Sequence, residues 1–422
     1  MANTPIDRDD LKPKINAEFL ARDPAYSSKA TVPGNRLTRL NATLQACLDA
    51  HHVLPASQQM ALEAQWLINY TDDWARATQT LDRLEASLGG DDQPSLAQGV
   101  DGSWAPGCQE WYRKLEPTVD ALQRDELTAT ALRPLLFMKP LQDPKFTIPY
   151  LESLRVSRIR DTGRNNRDEF GAAITALSQL IFKPELRALL CDRPELGFQI
   201  APELEKQYTD WLWQLQSPLT GFWGPTYHFP DGDVEVQDVS FTFHVVHYIS
   251  SDPTRTVPNL PQIGQTALAI KKMRYPNGWV VNKPERGPPL YSDHHNYDIA
   301  TLFSVAWSKL DDSLRDQARP ALQEILTWCL TNSLSDDRFV RADGATDVDA
   351  YYYGTRFLDV IGFWQPANAF WTTATVPMKI PPTLPPPLAI VKKLFSRFEA
   401  QFDDRSEEAE TVRKVLLAAL IA

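Results

Sequence analysis

Apolar residues three and four positions apart run through much of this chain, as in Leu62, Trp66, Leu67, Tyr70 and Trp74. That spacing lines one face of a helix, and it predicts helices over 36–54 and 57–88, then over 108–124, 126–136 and 147–192 with a break near Gly163. The Gly/Asp/Ser-rich stretch 89–107 reads as a loop, and the polar, proline-bearing first 35 residues read as an arm over the body. Strand-like alternation is scarcely visible, so the expected class is all-α.

From residue 203 the pattern repeats. A helix ends in a Gly-aromatic turn, and an acid-led loop then opens an apolar helix: "ELEKQYTDWLWQLQSPLTGFWGP" before "QDVSFTFHVVHYIS", "PQIGQTALAIKKMRYPNGWVV" before "SDHHNYDIATLFSVAW", and "LRDQARPALQEILTWCLTNSLSDDRFV" before "TDVDAYYYGTRFLDVIGFW". Gly221 and Gly278 stand 57 residues apart, Asp238 and Asp293 55, and Asp293 and Asp347 54. A unit iterated at about this period is a stack of α-hairpins. The second helix of each unit is apolar nearly all round, as Phe241, Phe243, Val245, Val246 and Tyr248 show, so it is the one expected to be buried.

This arrangement resembles the α/α toroid of terpenoid cyclases, prenyltransferase β subunits, several polysaccharide lyases and six-hairpin glycosidases. The resemblance implies one globular domain: an arm at 1–35, a toroid over 36–365 with its clear repeat at 203–365, and a Pro-rich strap with a final helix over 366–422. It also implies that residues just before the inner helices share one mouth of a cavity. Asp238, Asp293, His294, Asn296, Asp298, Asp347 and Asp349 would then converge.

Oxygen ligands of this kind suit Mg²⁺, which takes one or two carboxylates plus water and substrate phosphates. Acids at helix starts are also ordinary N-caps, and that explanation covers any one of them. It does not cover the whole "SDHHNYD" group. Lys283 and Arg286 precede this group and either neutralise it or bind a substrate diphosphate. His244 and His247 share a helix face, and at least one of Tyr351, Tyr352 and Tyr353 should point into the cavity. Trp223, Trp279 and Phe241, from the turns and the apolar helix, are candidates to line a pocket, where aromatic rings stabilise cations or stack on sugars.

Composition narrows the classes. A net charge of −11 and a pI near 5.2 give no broad basic surface for nucleic acid. The basic stretch "RVSRIRDTGRNNRD" reads either as surface pairing or as the far side of an anion site. Four scattered cysteines suggest neither zinc nor disulfides, no stretch is apolar enough to span a membrane, and no export signal opens the chain, so a cytoplasmic protein is expected. A homodimer is compatible with the sequence.

"DDSLRD" at 311–316 and "DDRSEE" at 403–408 read as charged helix starts rather than the signatures of conventional terpene synthases. The "GWVVNK" turn, with its lysine beside an Asp/His/Asn cluster, resembles the unconventional fungal humulene synthases. That resemblance implies a Mg²⁺-dependent cyclase acting on farnesyl diphosphate. It makes Lys283 the diphosphate lysine and takes metal ligands from Asp238, Asp293, Asn296 and Asp298. With the residues singled out above, the expected catalytic set is Lys283, Asp293 and Tyr351, and Lys283, Arg286, Trp223, Trp279, Phe241 and His244 are expected to bind substrate. The alternative on the same scaffold is a glycoside hydrolase or a uronate lyase using paired carboxylates or a Tyr/His pair. A helical scaffold that only docks partners is the third class.

Overall fold

The computed structural model describes residues 36–37, 40–41, 44, 57, 60–61, 63–64, 67, 74–89, 98–99, 101–104, 110–123, 132–158, 161, 165–281, 290–335, 338–340, 347–402 and 407–421. The described chain is mostly helical, as the hydrophobic spacing requires. Among the described residues no helix is long and apolar enough to cross a membrane. The described residues cluster into two compact units, one holding Gln216–Gly224 with those from Gln237 onward, the other those from Arg36 to Leu215 with Pro225–Val236. The sequence reading placed 36–365 in one toroid and 366–422 outside it. The contact division falls at residues 216–237, inside the repeat, and the C-terminal helices cluster with those after residue 237.

In the N-terminal unit, α1 (Trp74–Gly89) buries Ala77, Leu81 and Leu84 in a cluster with Leu37, Leu40, Leu44, Ala61, Ala64 and Leu67, while α2 (Trp111–Gln123), α3 (Pro144–Arg155), α5 (Pro184–Cys191) and α6 (Pro202–Leu215) pack around α4 (Arg167–Phe182). Helix α4 buries Phe170, Ala173, Ile174, Leu177, Leu180 and Ile181 against α2, α3 and α5. The expected helix over 126–136 is not formed at 132–135, which is irregular and leads into a 3₁₀ segment at Leu136–Gln142.

Alongside the helices of the expected all-α class lies one small sheet. Strand β1 (Val156–Ser157) pairs in parallel with β2 (Thr226–Phe229), which pairs antiparallel with β3 (Gly232–Glu235). The hairpin's signal is "PDG" between "TYHF" and "DVEV". It supplies a turn with a glycine at φ +128, which only that residue adopts freely.

The C-terminal unit is built from helical hairpins. Helices α7 (Val239–Ser250), α9 (Asp293–Ala306), α11 (Asp347–Val360) and α13 (Glu407–Ile421) form one row in which each packs on the next. Helix α8 (Leu260–Ala269) packs on α9 and on α10 (Asp312–Trp328), and α12 (Pro387–Gln401) packs on α13. The helix expected to run to residue 421 is therefore two, and the second is a further member of the buried row. The strap before Pro387 is tied to α10, where the Gln323 amide donates to the Lys379 carbonyl (2.9 Å) and its oxygen accepts from the Lys379 amide (2.8 Å).

The Gly-aromatic turns dock these layers. A Cβ at Gly278 would lie 2.3 Å from the Met273 carbonyl oxygen and 2.5 Å from that of Ile270, so only glycine lets the turn close on α8. Beside it the Trp279 indole donates to the Ala267 carbonyl at 2.8 Å.

Candidate functional site

The turn that needs Gly278 also places Tyr275. Its amide donates to the Val280 carbonyl (2.9 Å), and the next carbonyl, that of Pro276, accepts from Val239 N–H at the start of α7 (2.6 Å). The side chain is thereby fixed over the first turns of α9. There its hydroxyl donates to Asp298 Oδ2 at 2.9 Å, and its ring stacks on His295 with centroids 3.6 Å apart. His294, one turn before Asp298, brings Nε2 to 3.9 Å from Oδ2 and stacks on Tyr353 of α11 at 4.3 Å.

Asp298 is fully buried. Burial first, and then the nearby charge of Asp238, push its carboxyl well above the usual carboxylate range, while the bond from Tyr275 opposes them. Its second oxygen, Oδ1, has no hydrogen-bond partner among the described residues. The same holds for the side-chain oxygens of Asn277, in the docking turn, and of Asn296 and Thr301 on α9. A buried acceptor left unmatched costs about 1–3 kcal/mol, so such atoms stand out in a folded chain.

The four residues expected to hold a metal fall into two groups. Asn296 and Asp298 are two positions apart, which puts them on opposite sides of α9. Asn296 lies with Asp293 (Nδ2 to Oδ1, 3.5 Å), whereas Asp298 lies with His294, Tyr275 and Asp238. Asp293 also accepts from the buried Cys329 thiol, which burial and that negative charge together push up. Among the described residues no three His, Cys, Asp or Glu side chains converge as a metal cage.

Asp238 is the N-cap of α7, accepting from Phe241 N–H at 3.1 Å, and Ser292 rather than Asp293 caps α9. Asp311 caps α10 (2.8 Å from Leu314 N), as "DDSLRD" suggests. Lys283 and Arg286 lie outside the described residues, as do the side chain of Asp347 and most of "DDRSEE".

Among the aromatic candidates, Trp223, Trp279 and Phe241 are core residues, at 1%, 1% and 3% exposure. Tyr351 is also core, wedged against Phe339, Phe398 and Phe402. The tyrosine that meets the polar cluster is Tyr353, which feels the charges of Asp298 and Asp349 and is held far above an ordinary phenol, mainly by burial. His244 keeps its ring beside Phe243 and Tyr248. In the basic stretch, Arg155, Arg158 and Arg167 pair with Glu152, Asp161 and Asp168. Tyr275 was not singled out from the sequence. Its signal was its place three residues before the glycine of the second turn.

A small pocket of about 20 Å³ opens between Asp293, His294, Trp328, Ser333 and Tyr353. That is room for a water molecule rather than for a drug-sized ligand. Compared with known proteins, the chain matches no family model, no curated protein and no solved structure.

Proposed function

We propose that the chain is an enzyme, that its repeat closes into an α/α toroid, and that its active site is the polar cluster at the starts of α7, α9 and α11. The observation that carries this reading is that each of two polar groups at these helix starts, Asp298 with Asp238 and Asn296 with Asp293, holds a buried acceptor oxygen that has no donor among the described residues. Acceptors that lack donors fit a cation or a proton-donating ligand, and Mg²⁺ needs only one or two protein carboxylates. Either the Asp238/Asp298 pair or the Asp293/Asn296 pair would suffice.

The reaction proposed is cyclisation of a prenyl diphosphate, with farnesyl diphosphate as the candidate substrate and diphosphate released. Bound Mg²⁺ would neutralise the leaving diphosphate. Lys283 would bind its oxygens, and Tyr353, Tyr275 and the histidine rings would face the cationic hydrocarbon and keep water away.

A second reading is favoured by one specific observation, the buried Asp298 held between Tyr275 and His294 with its carboxyl pushed toward the protonated form. A neutral acid beside a tyrosine and a histidine fits proton transfer. In a uronate lyase, Tyr275 or His294 would take the proton next to the sugar carboxylate. Asp298 would give its proton to the departing glycosidic oxygen as the ring double bond forms.

The deciding experiment incubates the full chain with farnesyl diphosphate, with and without Mg²⁺, and separately with uronate oligosaccharides. Hydrocarbon products that require Mg²⁺ support the cyclase; unsaturated sugar products support the lyase. Binding of Mn²⁺, followed by its paramagnetic resonance signal, gives a second readout and should weaken in Asp298→Asn or Asp293→Ala. Lys283→Ala and Asp293→Ala should abolish turnover with little change in unfolding temperature; loss of fold in both would reduce these residues to structural roles.

A further inference from the structure

Beside the Asp298 cluster, α7, α9 and α11 share a second group of side chains, in which Phe243 and Tyr297 are buried (5% and 2% exposed) and His247 and Arg356 are partly exposed. Phe243 and His247, four residues apart on α7, stack at 5.3 Å with ring planes 15° apart. Tyr297 of α9 meets both edge-on, at 5.1 Å and 6.3 Å. Arg356 of α11 lies over the Tyr297 ring, its Cζ 5.3 Å from the centroid, and Nη2 donates to the Tyr297 hydroxyl at 3.0 Å.

That single bond leaves the guanidinium under-used. Its Nε is buried with no acceptor among the described residues, and the carboxylate paired with it among those residues, Asp359, stands 3.8 Å from Nη1, beyond hydrogen-bond length. Arginine presents five donors in a planar fork, and its side chain here is only 22% exposed, so water serves it poorly. A mostly buried fork with unmet donors, walled by flat rings, fits a planar oxyanion on a flat body.

The charge balance selects the oxyanion. Arg356 is one positive charge, already partly offset by Asp359. A carboxylate monoanion matches what remains, whereas a phosphate dianion would add a second negative charge facing Asp359.

We propose that this group of side chains is a binding site for a carboxylate carried on an aromatic or similarly flat group, with Arg356 holding the carboxylate and Phe243, His247 and Tyr297 holding the ring. The site does not depend on the reaction assigned to Asp298.

The test titrates the full chain with sodium benzoate, following ligand saturation transfer and protein amide shifts by NMR, with phenyl phosphate as a parallel probe. Saturable benzoate binding is expected, with shifts centred on α7, α9 and α11 and phenyl phosphate the weaker ligand. Arg356→Met should weaken benzoate at least about tenfold, the effect of roughly one charge-assisted hydrogen bond. Asp298→Asn should leave the affinity unchanged. If Arg356→Met does not fold, Arg356→Lys serves, since it keeps the charge and loses the fork, and it should still weaken binding. The proposal is overturned if folded wild-type chain shows no saturable benzoate binding, if phenyl phosphate binds more tightly, or if the folded Arg356 variant binds as well as wild type. Equal loss in Asp298→Asn would overturn the site's separateness.

Discussion

Asp298 holds its two carboxyl oxygens in unlike surroundings, one bonded by Tyr275 and the other with no partner among the described residues. Its raised affinity for a proton is also a statement about stability. Between the ordinary aspartate value of about 3.9 and the higher folded value, the folded state keeps a proton that the unfolded state has lost. Its contribution is therefore complete at low pH and drains away as pH rises through that window, at up to about 1.4 kcal/mol per pH unit. Asp298→Asn removes this slope. The stability of wild type relative to the variant, from urea unfolding between about pH 4 and 7, should fall with rising pH. A flat difference would mean that the carboxyl is ionised in the folded chain.

Tyr275→Phe strips the one bond the carboxyl receives from the described residues and should cost about 1–3 kcal/mol in the same assay. Asp238→Asn separates cap from charge, because asparagine caps as well as aspartate. Stability should barely change, whereas the negative-slope window contributed by Asp298 should narrow on its alkaline side. The acids at the helix starts were readable in the sequence. Their division was not, because which side of α9 meets which neighbour depends on how the row packs, and because Tyr275 reaches Asp298 across 23 residues.

Elements in the C-terminal unit are held by their turns as much as by their helices. The "GFW" and "GW" signals repeat because each turn folds back on an outer helix at a point where a Cβ has no room. Gly278→Ala should destabilise by at least about 1–3 kcal/mol, the usual cost of forcing atoms into a packed site, because the neighbours it meets are backbone carbonyls that cannot swing away. Chemical denaturation measures this directly, and an unchanged midpoint would show that the turn is looser than its contacts. Asp311→Ala tests the opposite case of an acid that only caps: it should lower stability by about 0.5–2 kcal/mol and leave any activity intact. The hairpin helices were legible from their spacing. The β2–β3 hairpin was overlooked because four-residue strands are too short for alternation to register, and only the turn residues announce them.

For the whole molecule, the sequence repeat ends before the structure does. Helix α13 joins the row after α11 although residues 366–422 carry no visible copy of the Gly-aromatic turn. What it shares with α7, α9 and α11 is burial: Ala409, Val412 and Leu416 are wholly buried, and Phe398 and Phe402 near its partner α12 close over Tyr351. In stacked hairpins each member is stabilised by its neighbours, so a defect at the end of the row propagates inward only as far as the units fold together. Leu416→Ala leaves a cavity in α13 and should cost about 2–5 kcal/mol. If the row α7–α9–α11–α13 unfolds as one cooperative unit, amide exchange in this variant accelerates in α9 and α11 as well as in α13, and by a similar factor. If acceleration is confined to α13, the last hairpin is an independently melting cap and the polar cluster on α9 owes its rigidity to α7, α8 and α11 alone.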